Sequence, residues 1–99
     1  MIAMSKVRIR FAGGLGRIAG QKEFEITISE DAPLGKLLID LTETIGCELK
    51  EALIEPRTNT LGSGVVVSVN GAIIAPNEAM KTIVKPGDHV LIIPFIEGG

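Results

Sequence analysis

The chain has 99 residues, 45% hydrophobic and 22% charged, with a formal net charge of -2 at pH 7. This length and balance fit one globular domain, residues 1–99, that buries a modest core without disulfides or metal, and they argue against disorder. The slight acidity gives no general case for binding nucleic acid or an anionic membrane. The single cysteine, Cys47, has no intramolecular partner, so nothing argues for an oxidising compartment. No apolar run is long enough to span a bilayer, and the opening residues Met1 to Lys6 lack the apolar centre of a signal peptide. Met4 is an alternative translation start, and the cytoplasm is the expected compartment.

Ser5–Phe11 alternates, with Val7, Ile9 and Phe11 on one side and Lys6, Arg8 and Arg10 on the other, which predicts a half-buried strand with a basic outer face. Residues 12–20 hold four glycines and read as a loop, with one helical turn as the alternative. Glu23–Ile28 alternates again, with Phe24, Ile26 and Ile28 inward. Antiparallel pairing of these strands sets Arg8 and Arg10 near Glu23 and Glu25, pairs that contribute roughly 0.2–1 kcal/mol each. Pro33 suits a first helical turn, with Asp31 or Ala32 at the cap. Leu34, Leu37, Leu38, Leu41 and Ile45 then recur at helical spacing up to Gly46, a plausible stop. A shorter helical piece containing Leu49, Leu53 and Ile54 follows, and residues 55–64 read as a loop.

Val65–Val69 is a third predicted strand, Asn70-Gly71 a hairpin turn, and Ala72–Ile74 the return strand, closed by Pro76. Residues 77–84 read as a connection leading to a tight turn at Lys85-Pro86-Gly87-Asp88. Residues 89–93 form the last strand, and because it is apolar on both faces it is expected at the centre of its sheet. Two strands, a helix, a hairpin and a final central strand beside the first give an α+β fold: a small mixed sheet with one main helix packed on one face. That is the β-grasp, or ubiquitin-like, topology.

Several candidate motifs carry no chemistry. Gly14-Leu15-Gly16-Arg17-Ile18-Ala19 fits G-x-G-x-x-A, but the next strand begins too soon for the crossover helix of a dinucleotide site, so a glycine-rich turn is the better reading. Cys47 and His89 lie far apart in sequence; Cys47 reads as a buried small hydrophobe and His89 as the start of a strand beside Asp88. One histidine and one cysteine make a poor metal set. Asp31, Asp40 and Asp88 show no paired-carboxylate pattern, and three phenylalanines make no stacking platform for single strands.

The closing stretch is different. An apolar strand meets Pro94 and is followed by Phe95, Ile96, Glu97, Gly98 and Gly99. With glycine at 12 of 99 positions, a terminal pair arises by chance in roughly one or two chains per hundred of this composition; an expression scar is another source of such a pair. From Pro94 to Gly99 the chain reaches at most about 20 Å. Residues without Cβ can thread a channel too narrow for other side chains, which is what presenting a carboxylate inside a partner's active site requires.

Val7-Arg8-Ile9-Arg10-Phe11-Ala12, Leu15-Gly16-Arg17-Ile18-Ala19-Gly20, Val69-Asn70-Gly71, Pro86-Gly87-Asp88-His89-Val90 and Gly98-Gly99, in that order and spacing, resemble the small ubiquitin-like sulfur carriers: the molybdopterin synthase small subunits and the thiamine-biosynthesis sulfur carriers. The resemblance covers nearly the whole chain. It implies that an E1-like adenylating enzyme activates Gly99 with ATP and that a sulfur donor converts it to a thiocarboxylate. It further implies that Gly98 keeps the tail slim, and that Ile93, Pro94, Phe95, Ile96 and Glu97 contact the partner. The implied carrier binds no cofactor or metal itself, because ATP belongs to the activating partner. The implied synthase partner is the molybdopterin synthase large subunit or a thiazole synthase, and the sulfur acceptor stays open among a pterin precursor, a thiazole precursor and a tRNA base. Small subunits typically end Phe-Pro-Pro-Val-Ala-Gly-Gly; here Phe95 stands at the second proline and Glu97 at a small residue, so the subfamily stays open. Two other classes also stay open: a modifier joined to lysines through Gly99, and a binding module whose tail is incidental.

Overall fold

The computed structural model describes residues 5–58, 60–62 and 64–94. Strand β1 (Ser5–Phe11) pairs antiparallel with β2 (Glu23–Ile28), from Ser5 opposite Ile28 to Arg10 opposite Glu23. The expected alternation holds: Val7, Ile9 and Phe11 are buried, and Lys6, Arg8 and Arg10 are exposed. On the outer face Lys6 meets Glu25 at 3.2 Å, and Arg8 meets Glu25 at 3.3 Å and Glu23 at 3.7 Å. The edge of Phe11 packs on Phe24, with ring centroids 5.7 Å apart.

The glycine-rich segment between these strands is a helix, α1 (Gly14–Ala19), rather than a loop. Leu15 and Ala19, one turn apart, are buried against the core, and that burial overrides the low helix propensity of the glycines. Gly20 ends it in the left-handed conformation, its N–H donating to the carbonyls of Gly16 and Arg17. There is room for a helix after all. A dinucleotide crevice is nonetheless excluded at this position, because α1 joins antiparallel neighbours and makes no parallel crossover.

Helix α2 (Leu34–Ile45) buries Leu34, Leu37, Leu38 and Leu41 as the spacing predicts. Its cap differs from the expectation. Pro33 is the N-cap, and among the described residues neither Asp31 nor another side chain caps the first amides. Instead Leu34 N–H donates to the Thr82 carbonyl at 2.8 Å and Gly35 N–H to the Met80 carbonyl at 2.9 Å. These carbonyls are supplied by the segment that precedes a two-residue strand, β8 (Ile83–Val84), which pairs with β3 (Ala32–Pro33). After Gly46, α3 (Cys47–Leu53) buries Leu49 and Leu53. Ile54 leaves the helix for β4 (Ile54–Glu55), which pairs with β5 (Thr60–Leu61), so the predicted loop contains a short ladder.

Strand β6 (Val65–Val69) turns through Asn70 and Gly71, both at positive φ, into β7 (Ala72–Ile74), as a two-residue hairpin demands. A single helical turn, α4 (Pro76–Ala79), lies in the expected connection. The last strand, β9 (His89–Pro94), runs parallel to β1 and antiparallel to β6. The main sheet has the order β2-β1-β9-β6-β7, with β9 at its centre. Its inner face, including Val90 and Ile92, shares one apolar cluster with Leu34, Leu38, Leu49 and Leu53 of the helices. The stated reason for the central position of β9 needs correction. Leu91 and Ile93 point away from the helices and are only half-buried; the strand is central without being covered on both faces.

Candidate functional site

The site is the C-terminal end of β9, at Ile93 and Pro94, together with the outer sheet face beside it. At its start β9 is fixed by a side-chain clamp between two turns. Asn70 donates through Nδ2 to Asp88 Oδ1 at 3.0 Å and accepts the His89 N–H at Oδ1 at 2.9 Å. The Lys85 N–H donates to Asp88 Oδ2 at 2.8 Å. That backbone hydrogen bond, assisted by Asn70 and the nearby Lys85 and His89, holds the Asp88 carboxyl below its ordinary value against an opposing effect of partial burial. Asn-Gly and Pro-Gly-Asp are thus more than independent turn signals: they lock onto each other at the entrance to the strand.

At the other end, Pro94 pairs with Val65 and Ile93 with Val66. Ala12 N–H donates to the Ile92 carbonyl at 2.9 Å, and Pro94 packs against the backbone of Gly13. Of the expected site residues, Ile93 and Pro94 are therefore placed together, half-buried, at the edge of this face. Phe95, Ile96, Glu97, Gly98 and Gly99 lie outside the described residues, as do Met1 and Met4.

The sheet adds residues that the sequence reading passed over. Register sets Glu23, Arg10, Leu91, Ser68 and Ile73 in one row across the outer face, with Ile93 and Val66 in the next. Ile73 is 72% exposed. Depressions on this face and beside Gly13 share Arg10 and Leu91. Lys6 and Arg8 are neutralised by glutamates, whereas Arg10 and the neighbouring Lys22 form no ion pair among the described residues. The period-two pattern of β1 and the apolar outer positions of β9 carried part of this signal; which strands bring them together did not show in the sequence.

Other chemistry is sparse. Cys47 is free and exposed, contrary to the buried reading, because it opens α3 on the side opposite Leu49 and Leu53. It lines a groove with Lys50, Glu51, Ile54 and Pro56, while His89 lines the outer sheet depression, so the two are not brought together. Asp40 pairs with Lys36 one turn away. No cluster of three His, Cys, Asp or Glu residues suited to a metal occurs among the described residues. No helix there is long and apolar enough to cross a membrane.

A five-stranded mixed sheet with this strand order and a main helix on one face is the β-grasp, or ubiquitin-like, fold. The chain belongs to the ThiS family, which it matches over residues 9–99. It is similar in structure to the HVO 2177 protein of Haloferax volcanii, with 27% identity, 97% of this chain and 88% of that chain covered, and a TM-score of 0.79. Urm1 from Trypanosoma brucei shares 24% identity over the full length of both chains, with a TM-score of 0.79. A putative molybdopterin converting factor subunit 1 from Pyrococcus furiosus shares 22% identity, with 93% and 99% of the chains covered and a TM-score of 0.71. No curated protein matches the sequence significantly. The chain is thus a member of a family of ubiquitin-like sulfur carriers, which are generally non-catalytic.

Proposed function

We propose that this protein is a sulfur carrier, one domain over residues 1–99, whose Gly99 carboxylate is adenylated and then converted to a thiocarboxylate. The observation that carries the reading is the family match, which extends through the sheet to Gly99. The geometry agrees with it. Five residues follow Pro94 in the sequence, and Pro94 itself ends a strand fixed between β1 and β6, so the sheet holds the chain firmly up to that residue. A carboxylate is a poor electrophile. Joining its oxygen to the α-phosphorus of ATP releases pyrophosphate, and a sulfur nucleophile can then displace AMP. The carrier needs no acid, base, cofactor or metal for this, because the E1-like partner supplies the site and ATP.

The setting we favour is molybdopterin synthesis in the cytoplasm, with a synthase large subunit as partner and a pterin precursor as the sulfur acceptor. The likeness to the Pyrococcus furiosus protein supports it. Thiazole synthesis and tRNA thiolation use the same carrier chemistry and are the alternatives. Ile93 to Glu97 would contact the partner, with Gly98 and Gly99 inside its channel.

Intact-mass analysis of protein from the native host tests the reading. Replacement of one oxygen by sulfur at Gly99 is the expected result. An isopeptide remnant of Gly99 on lysines of other proteins would instead make the chain a modifier. Full cellular function after deletion of Gly98 and Gly99 would sink both ideas. Co-purification of a synthase large subunit, a thiazole synthase or a tRNA-thiolating enzyme would name the pathway.

A further inference from the structure

The turn that leads from β1 into α1 touches the root of the arm. Gly13 has φ 58° and ψ -142°, a backbone region that L side chains rarely adopt. A Cβ at this position would lie 3.0 Å from Pro94 Cγ and 3.6 Å from Cδ. On one side Pro94 is paired with Val65 of β6; on the other it rests on Gly13, whose neighbour Ala12 is hydrogen-bonded to the Ile92 carbonyl. Pro94 has no N–H with which to fix its own direction. Its ring is therefore placed by the pairing with Val65 and by a backbone that comes close only because residue 13 has no side chain.

We propose that the Gly13–Pro94 contact aims the arm, making Gly13 a positioning residue for delivery of Gly99 to the adenylating site. The inference rests on the reading of Gly99 given above. The lever is long. Five residues extended in a partner's channel span about 17 Å, so a tilt of about 10° at Pro94 displaces the terminal carboxylate by about 3 Å. A misplacement of about 1 Å at a reacting centre can cost on the order of a hundredfold in rate. Gly13→Ala alters none of the side chains from Ile93 to Glu97 that would contact the partner, so the loss should fall on kcat more than on KM.

The test is ATP–pyrophosphate exchange by the E1-like enzyme of the same organism, with full-length carrier as substrate and rates expressed per folded molecule from urea melts. Gly13→Ala is expected to lower kcat by roughly 10- to 100-fold with KM within about twofold. Gly20→Ala is the control for backbone strain: Gly20 ends the same helix at φ 92°, and a Cβ there meets nothing within 4 Å. It should lose stability but keep its kcat. Pro94→Ala, which removes the ring without straining residue 13 but also trims a partner contact, should lower kcat more than it raises KM, and in the Gly13→Ala background should recover part of the loss in kcat. If Gly13→Ala keeps the wild-type kcat, or falls no further than Gly20→Ala, the proposal is overturned while the reading of Gly99 stands. If Gly13→Ala does not fold, Pro94→Ala decides: an unchanged kcat overturns the proposal. A wild-type chain that supports no exchange overturns both readings together.

Discussion

Replacing Asp88 with alanine removes the acceptor that ties the β6–β7 turn to the start of β9. Two hydrogen bonds are lost, from Asn70 Nδ2 to Oδ1 and from Lys85 N–H to Oδ2. Hydrogen bonds to a charged group contribute about 1.5–3 kcal/mol each when well shielded. Asp88 is only half-buried, so a total of about 1–2 kcal/mol is the expectation after discounting for solvent. The backbone bonds from Arg8 N–H to the Asp88 carbonyl and from Asn70 N–H to the His89 carbonyl remain, so the fold should survive. Urea melts measure the gap, expected at roughly 1 M in midpoint at neutral pH. The folded-state carboxyl lies below its ordinary value, chiefly through the Lys85 amide. Its contribution is therefore complete above the unfolded value of about 3.9 and is lost as the pH falls through the lower folded value. Wild type and variant should converge in acid. Equal midpoints at neutral pH, or a gap that stays constant into acid, would refute the clamp.

Ile92→Ala at the centre of β9, where the side chain is fully buried, should cost about 2–5 kcal/mol in a denaturant melt, since it opens a cavity between sheet and helices. Gly35→Ala should destabilise by about 1–3 kcal/mol, because its Cβ would lie 2.9 Å from the Met80 carbonyl that helps cap α2; a neutral thermal shift would contradict that close approach. Cys47→Ser should change stability by no more than about 0.5 kcal/mol, and native protein should react with a thiol reagent at the rate of an exposed cysteine; slow labelling would restore the buried reading.

Much of this molecule was legible because its strands alternate and its main helix repeats. Val7, Ile9 and Phe11 announce β1, the leucines of α2 announce their buried face, and Asn70-Gly71 announces the hairpin. The errors share a cause. Reading residues 12–20 mainly as a loop, Ala32-Pro33 as a helix start, 55–64 as a loop and 77–84 as a connection missed α1 and the ladders β3–β8 and β4–β5, because these elements are short. Their few residues are held by burial of Leu15 and Ala19, or by backbone bonds to partners up to tens of residues away, and neither shows in local propensity. The cap of α2 was misread for the same reason: its partners are the carbonyls of Met80 and Thr82.

The sequence by itself determined the periods of the elements, the apolar character of the last strand and the two glycines at positions 98 and 99. These are properties of neighbouring residues, and periodicity reports them directly. Only the tertiary structure decided that Asn70 and Asp88 lock together, that Leu91, Ile73 and Arg10 share one row on the outer sheet face, and that Gly13 lies under Pro94. Each of these joins segments that the chain separates, and the register of five strands is set by all of their buried faces at once rather than by any one of them.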